Sequence, residues 1–205
     1  MDGIPTSRDA EVLTDLFRIL GHVDSLLGSL GIRYAVGGSL ASSVHGEVRA
    51  TNDIDVLIEL PDALVAAFVA ALQPTFDIWE DSVRRALAEH RPFSALHRDW
   101  HVEIDFFPAG RSSLDASELG RCQRVQLPDA PEIQVPVATP EDIILRKLDW
   151  HARSGNVLER QLRDVVGVMK VQRGALDLGY LRLWSRQLGV EHMLDQCLGE
   201  AGLDT

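Results

Sequence analysis

The sequence is poor in the residues that cross-link a chain or cage a soft metal. Its two cysteines, Cys122 and Cys197, stand far apart with no CxxC and no Cys/His cluster, which excludes a disulfide framework and a structural zinc site. No apolar run approaches the roughly 20 residues of a membrane helix. The stretch Met1 to Asp15 lacks the basic, apolar, small-residue order of a signal peptide. No membrane partner and a cytoplasmic setting are therefore expected. Lysine is scarce as well, with Lys147 and Lys170 against eighteen arginines. Positive charge is in deficit overall, and a net charge of -11 argues against a protein that coats duplex DNA non-specifically.

What is present is ordinary for a globular chain. Apolar residues make up 45% and charged residues 25%, enough to bury a core. The length of 205 residues fits one domain, or a core domain with a helical appendage. The charge is unevenly spread: residues 1–83 are net -9, 141–186 net +3 and the tail 187–205 net -4. The basic stretch suits either a phosphate-receiving surface or a solvated, arginine-laced helical face.

Periodicity divides the chain in two. Leu13, Leu16, Leu20, Val23, Leu27 and Leu30 recur at helical steps, predicting a helix over Ala10 to Leu30 with Gly31 as its stop. Strands are predicted at 33–36 and 53–59, with a helix opening at Ser39 between them. Helices follow over 63–72 and 79–89, a hairpin over 93–96 and 100–107, and short strands at 121–127 and 133–137. After Thr139-Pro140-Glu141 the pattern is helical throughout, at 141–153, 158–172, 176–188 and 191–198. The expected architecture is an α/β (α+β) chain with a mixed β-sheet core in residues 1–138, flanked by helices, and a C-terminal helical bundle in 139–205.

One stretch carries chemistry. Tyr34-Ala-Val-Gly37-Gly38-Ser39 is followed, after thirteen intervening residues, by Asp53-Ile54-Asp55-Val56. Side chains at i and i+2 of a strand share a face, so Asp53 and Asp55 stand side by side. Two adjacent carboxylates call for a cation or a shared proton, and Mg2+ is the hard divalent ion that prefers oxygen ligands and tolerates phosphate. Gly37, Gly38 and Ser39 at a strand-to-helix junction supply backbone N–H groups and a helix N-terminus suited to a phosphate. An exposed edge strand guarded by acids would leave the same Asp-x-Asp pattern.

A Gly-Gly turn, about ten intervening residues and then Asp-x-Asp resembles the signature of the polymerase-beta-like nucleotidyltransferases. The longer run Val36-Gly-Gly-Ser-Leu-Ala-Ser-Ser-Val-His45-Gly-Glu-Val-Arg49-Ala-Thr51-Asn-Asp53-Ile-Asp55 resembles AbiE-type toxins in particular, with Arg49 and Thr51 just ahead of the acidic pair. The resemblance implies a nucleotidyltransferase-type fold and a third carboxylate on a later strand. Ile104-Asp105-Phe106-Phe107 matches the family's pattern, with Glu103 in reserve on the same face. It also implies that Lys147, in Thr139-Pro-Glu-Asp-Ile-Ile-Leu-Arg-Lys147-Leu, reaches a triphosphate. A solvated helix lysine would look the same. Arg153 and Arg163-Asp164 resemble the toxin branch, which implies that Asp164 orients Lys147 or a substrate hydroxyl; a plain ion pair would look the same.

The site so implied has Asp53, Asp55 and Asp105 holding two Mg2+ ions, with Mn2+ as a substitute. Gly37, Gly38, Ser39, Arg49 and Thr51 hold a nucleoside triphosphate, and Lys147 completes the catalytic set. The implied reaction is attack of an acceptor hydroxyl or phosphate oxygen on the α-phosphorus. The resemblance suggests tRNA or protein as acceptor and an antitoxin as partner, while relatives with the same core modify aminoglycosides. A nucleotide-binding or partner-binding relative without turnover is the competing expectation. His45, His101 and His151 have no HxxxH spacing and read as structural or exposed, with contact to the nucleotide beside the glycine turn as the alternative for His45. The four tryptophans are too dispersed for a base-stacking platform.

Overall fold

The structure, a computed structural model, describes residues 7–46, 53–110, 112–127, 130–155 and 159–203, with side chains described from residue 16 onward. The chain divides into two compact units, one of residues 1–40 and 50–137 and the other of residues 41–49 and 138–205.

The first unit is built on a seven-stranded mixed sheet. Its strands are β1 (Arg33–Val36), β2 (Asp53–Glu59), β3 (Phe76–Asp77), β4 (Phe93–His97), β5 (Glu103–Pro108), β6 (Gln123–Leu127) and β7 (Ala130–Val137), in the order β3-β4-β5-β2-β1-β7-β6. β2 runs parallel to β5 and β1 parallel to β7, while every other pairing is antiparallel. β2 therefore lies at the centre with a partner on each side, which excludes an acid-guarded edge as the reason for its two aspartates.

Helix α1 (Ser7–Ser29) buries Leu16, Leu20, Val23 and Leu27 completely, as a stripe at three- and four-residue steps requires. It ends in a left-handed glycine: Gly31 has φ +66, and the N–H of Ile32 donates back to the Leu27 carbonyl at 2.9 Å. Asp24 on α1 accepts from the Tyr34 hydroxyl at 2.7 Å and from both terminal nitrogens of Arg124 at 3.2 and 2.8 Å, tying the helix to β1 and β6. Burial and this carboxylate push the Tyr34 phenol far above its ordinary range.

Past a 3-10 turn at Asp62–Leu64, helix α3 (Val65–Leu72) drives Phe68 against Phe93 and Phe106 at ring distances of 6.1 and 5.4 Å. That cluster fills one face of the sheet, along with Ile54, Val56, Ile58 and Ile104. Helix α4 spans Glu80–Ala88 and α5 spans Ser113–Arg121. On the opposite face Leu119 of α5 meets Ala35 and Leu57, with Phe107, Ala109 and Cys122 packed around them.

The second unit is helical: the end of α2 (Gly38–His45), then α6 (Pro140–Arg153), α7 (Glu159–Val171), α8 (Leu178–Leu188) and α9 (Glu191–Ala201). Thr139 caps α6, its hydroxyl accepting from the Asp142 N–H at 3.3 Å and donating to the Asp142 carboxylate at 2.6 Å, with Pro140 at the first helical position. Tyr180 of α8 donates to the other Asp142 oxygen at 2.6 Å, so a fully buried carboxylate is satisfied from two sides. The last residues of α2 pack here too. Gln172 donates to the His45 carbonyl at 2.8 Å, and His45 Nε2 donates to the Ala138 carbonyl at 3.0 Å. Burial lowers the His45 pKa and favours this neutral ring.

No helix among the described residues is long and apolar enough to cross a membrane. Three elements depart from the expectation: strand β3 at Phe76–Asp77 falls where none is expected, and the other two are a helix and a strand start. Helix α5 replaces what reads as a loop before 121, and β5 begins at Glu103 because Trp100 and His101 turn the hairpin, His101 at φ 54.

Candidate active site

The central pair of parallel strands sets the site. In their register Asp53 pairs with Glu103 and Asp55 with Asp105. Residues aligned across neighbouring strands project to the same face, and alternate residues of one strand do likewise. Four carboxylates thus form two adjacent rows on the face opposite the phenylalanine cluster. Asp53 and Glu103 are exposed, and Asp55 and Asp105 half-buried. The next strand continues the rows, with Ser94 of β4 beside Asp105 and Leu96 beside Glu103. Ser94 donates its hydroxyl to Asp105 Oδ1 at 2.5 Å, a short charge-assisted bond. Nothing in the sequence pattern marks Ser94, because a strand register is needed to place it.

The glycine turn borders the same rows from the β1 side. The N–H of Gly37 donates to the Asp55 carbonyl at 2.9 Å, extending the β1–β2 ladder by one step. Gly38 opens α2 with φ +60, and a Cβ built there would lie 1.7 Å from Asp55 Oδ2. Glycine is therefore demanded twice, by the left-handed backbone and by the carboxylate that occupies the space of a side chain. Ser39 follows in the first turn of α2. A Cβ at Gly37, by contrast, meets nothing within 4 Å.

These contacts separate the two glycines experimentally. Gly38→Ala is expected to cost about 1–2 kcal/mol for the left-handed backbone alone and to displace the Asp55 carboxylate. Thermal unfolding should fall by roughly 2–8 °C, while Gly37→Ala stays within about 1 °C of the parent. Equal stability of the two variants in a melting experiment would contradict this account of Gly38.

The donor set suits a hard divalent cation, being all oxygen, drawn from two adjacent strands and gathered on one face. Among the described residues no three His, Cys, Asp or Glu side chains are already close enough to hold a metal ion. Neighbouring carboxylates repel one another until a cation or a proton lies between them. The backbone register, roughly 4.8 Å from strand to strand, is accordingly the feature that bears on metal binding.

The remaining predicted residues fall elsewhere. Arg49 and Thr51 lie outside the described residues. Lys147 belongs to the second unit, on α6, where it is buried and its ammonium donates to Asp164 Oδ2 at 2.7 Å and to Gln161 Oε1 at 3.0 Å. Asp164 thus pairs with Lys147, and the lysine is not a solvated helix residue. His151 is buried on α6 and His101 sits in the β4–β5 turn.

The fold is that of nucleotidyltransferase-like proteins. Two solved structures share it. An antigenic nucleotidyltransferase-like protein from Paracoccidioides brasiliensis aligns with a TM-score of 0.53 at 18% identity, over 88% of this chain and 92% of its own. ANT(2")-Ia, in complex with adenylyl-2"-tobramycin, aligns with a TM-score of 0.51 at 12% identity, over 87% of this chain and 99% of its own. The chain matches no protein-family model and no curated protein sequence significantly.

Proposed function

We propose that the chain is a divalent-metal-dependent nucleotidyltransferase that moves a nucleoside monophosphate from a nucleoside triphosphate to an acceptor hydroxyl or phosphate. The register pairing of Asp53 and Asp55 with Glu103 and Asp105, on one face and against the Gly37-Gly38 turn, carries this reading. A structural or partner-binding protein has no need to hold like charges in adjacent rows at the centre of a sheet.

In this reading Asp53, Asp55 and Asp105 hold Mg2+, or Mn2+ in its place. Bound there, the ions supply positive charge at the attacking and leaving oxygens of the transfer. Asp105 also receives the acceptor's proton. Ser39 and the first turn of α2 receive the phosphates, where a helix N-terminus favours negative charge. Gly37 serves the ladder through its N–H and leaves open space above its Cα. Arg49, Thr51 and Lys147 join the nucleotide-binding set on the strength of their sequence motifs.

Two lines of support point to different acceptor classes. Resemblance to AbiE-type toxins favours tRNA or a protein hydroxyl, together with an antitoxin partner. The complex of ANT(2")-Ia with an adenylylated tobramycin, and the net charge of -9 over residues 1–83, favour a cationic aminoglycoside instead.

Incubation with each α-labelled nucleoside triphosphate, Mg2+, and in turn total tRNA, a protein extract and an aminoglycoside panel distinguishes them. Label is expected in one acceptor class and should disappear on chelation with EDTA. Tight nucleotide binding with no transfer to any class would identify a binding relative without turnover, and transfer that survives EDTA would remove the metal from the proposal.

A further inference from the structure

The acidic rows are not symmetrical. Glu103 is flanked on β4 by Leu96, which offers it no hydrogen bond, whereas Asp105 is flanked by Ser94, whose hydroxyl holds Oδ1 at 2.5 Å. Of the two carboxylates on β5, Asp105 therefore has its β4-side oxygen fixed by a hydroxyl donor, while the strand on its other side presents Asp55 in direct register. We infer that Ser94 is a positioning residue: it pins one Asp105 oxygen, so that the carboxylate offers the other toward the β2 side as a ligand of fixed orientation. This inference rests on the function proposed above and extends it to a residue that never touches the reacting atoms.

The physical grounds are those that govern outer-shell partners of metal ligands generally. A carboxylate on a strand has two soft torsions, and freezing them before the cation arrives removes an ordering cost from binding. Half-buried Asp105 and exposed Ser94 lie on a sheet surface, so the bond is not needed to fill the core. Its loss should leave the fold intact. The same asymmetry ranks Asp105 above Glu103 as the third carboxylate.

Three substitutions test it: Ser94→Ala removes the hydroxyl, Ser94→Thr keeps it on a β-branched side chain suited to a strand, and Ser94→Val has the shape of that threonine without the hydroxyl. Mn2+ binding by the full chain, followed by electron paramagnetic resonance or calorimetry without nucleotide, gives a readout independent of turnover. Affinity is expected to fall about tenfold in Ser94→Ala and Ser94→Val, at the lower end of outer-shell losses. Ser94→Thr should remain within about twofold of the parent, all three with unchanged thermal unfolding. If Ser94→Val binds Mn2+ as tightly as the parent while Asp105→Asn loses binding, the positioning role is overturned and the metal site stands. Absence of Mn2+ binding by the parent chain overturns the metal-dependent function and the role of Ser94 with it.

Discussion

Asp55→Ala is expected to lower label transfer by more than about a hundredfold, exceeding what the loss of an outer-shell partner alone does to a metal site, while the protein keeps its fold. Asp55 sits on the central strand, across from Asp105 and directly over Gly38. No other residue could substitute for it, since the neighbouring position on each flanking strand is filled by the Gly37 backbone or by Asp105. Removing it also relieves like-charge repulsion within the rows. Measuring transfer and thermal unfolding on the same preparation separates the two effects. Asp53→Ala should follow the same pattern. Full transfer by Asp55→Ala would remove the catalytic centre proposed for these strands.

The sheet centre was legible because its signals are local. Acid–apolar alternation over Asp53 to Glu59 specifies a strand with unlike faces, and a two-residue period places Glu103 and Asp105 together without knowledge of the fold. The stripe of α1 and its glycine stop are equally local. Helix α5 escaped because Ser113 to Arg121 offers few apolar anchors, chiefly Leu114 and Leu119. Its visible signal was the capping box, in which the Ser112 hydroxyl accepts from the Asp115 N–H and the Asp115 carboxylate accepts from the Ser112 N–H at 3.0 Å. The two residues of β3 are too few for any period to show.

What stayed hidden is of another kind. That Ser94 stands beside Asp105 depends on the register of β4 against β5, and a slip of one residue would move it to the other face. The reason for Gly38 was also only half visible. A tight turn and close approach were readable in the pair of glycines, but the group that approaches in this structure is the protein's own Asp55 carboxylate. The setting of Lys147 is tertiary too: the resemblance implied Asp164 as its partner, but its burial and the contact with Gln161 show only when α7 packs against α6.

That buried pair carries the largest stability effect expected. The Lys147 and Asp164 side chains retain only 6% and 13% of their exposure at a separation of 2.7 Å. Asp164→Ala takes the carboxylate away from a buried ammonium that Gln161 also contacts, and removal of one member of such a pair costs about 3–5 kcal/mol. For a chain of this size that lowers the unfolding temperature by roughly 10 °C. Replacing both, as Lys147→Met with Asp164→Leu, removes the charge and the need for its partner together, so most of the loss should return. The double variant also separates two roles for the lysine. If the ammonium serves only to knit α6 to α7, the double variant transfers nucleotide as the parent does. If Lys147 contacts the triphosphate, the stable double variant shows KM for nucleotide raised about tenfold or more, consistent with a lost charge-assisted contact of about 1.5–3 kcal/mol, and the fall in transfer cannot be blamed on unfolding.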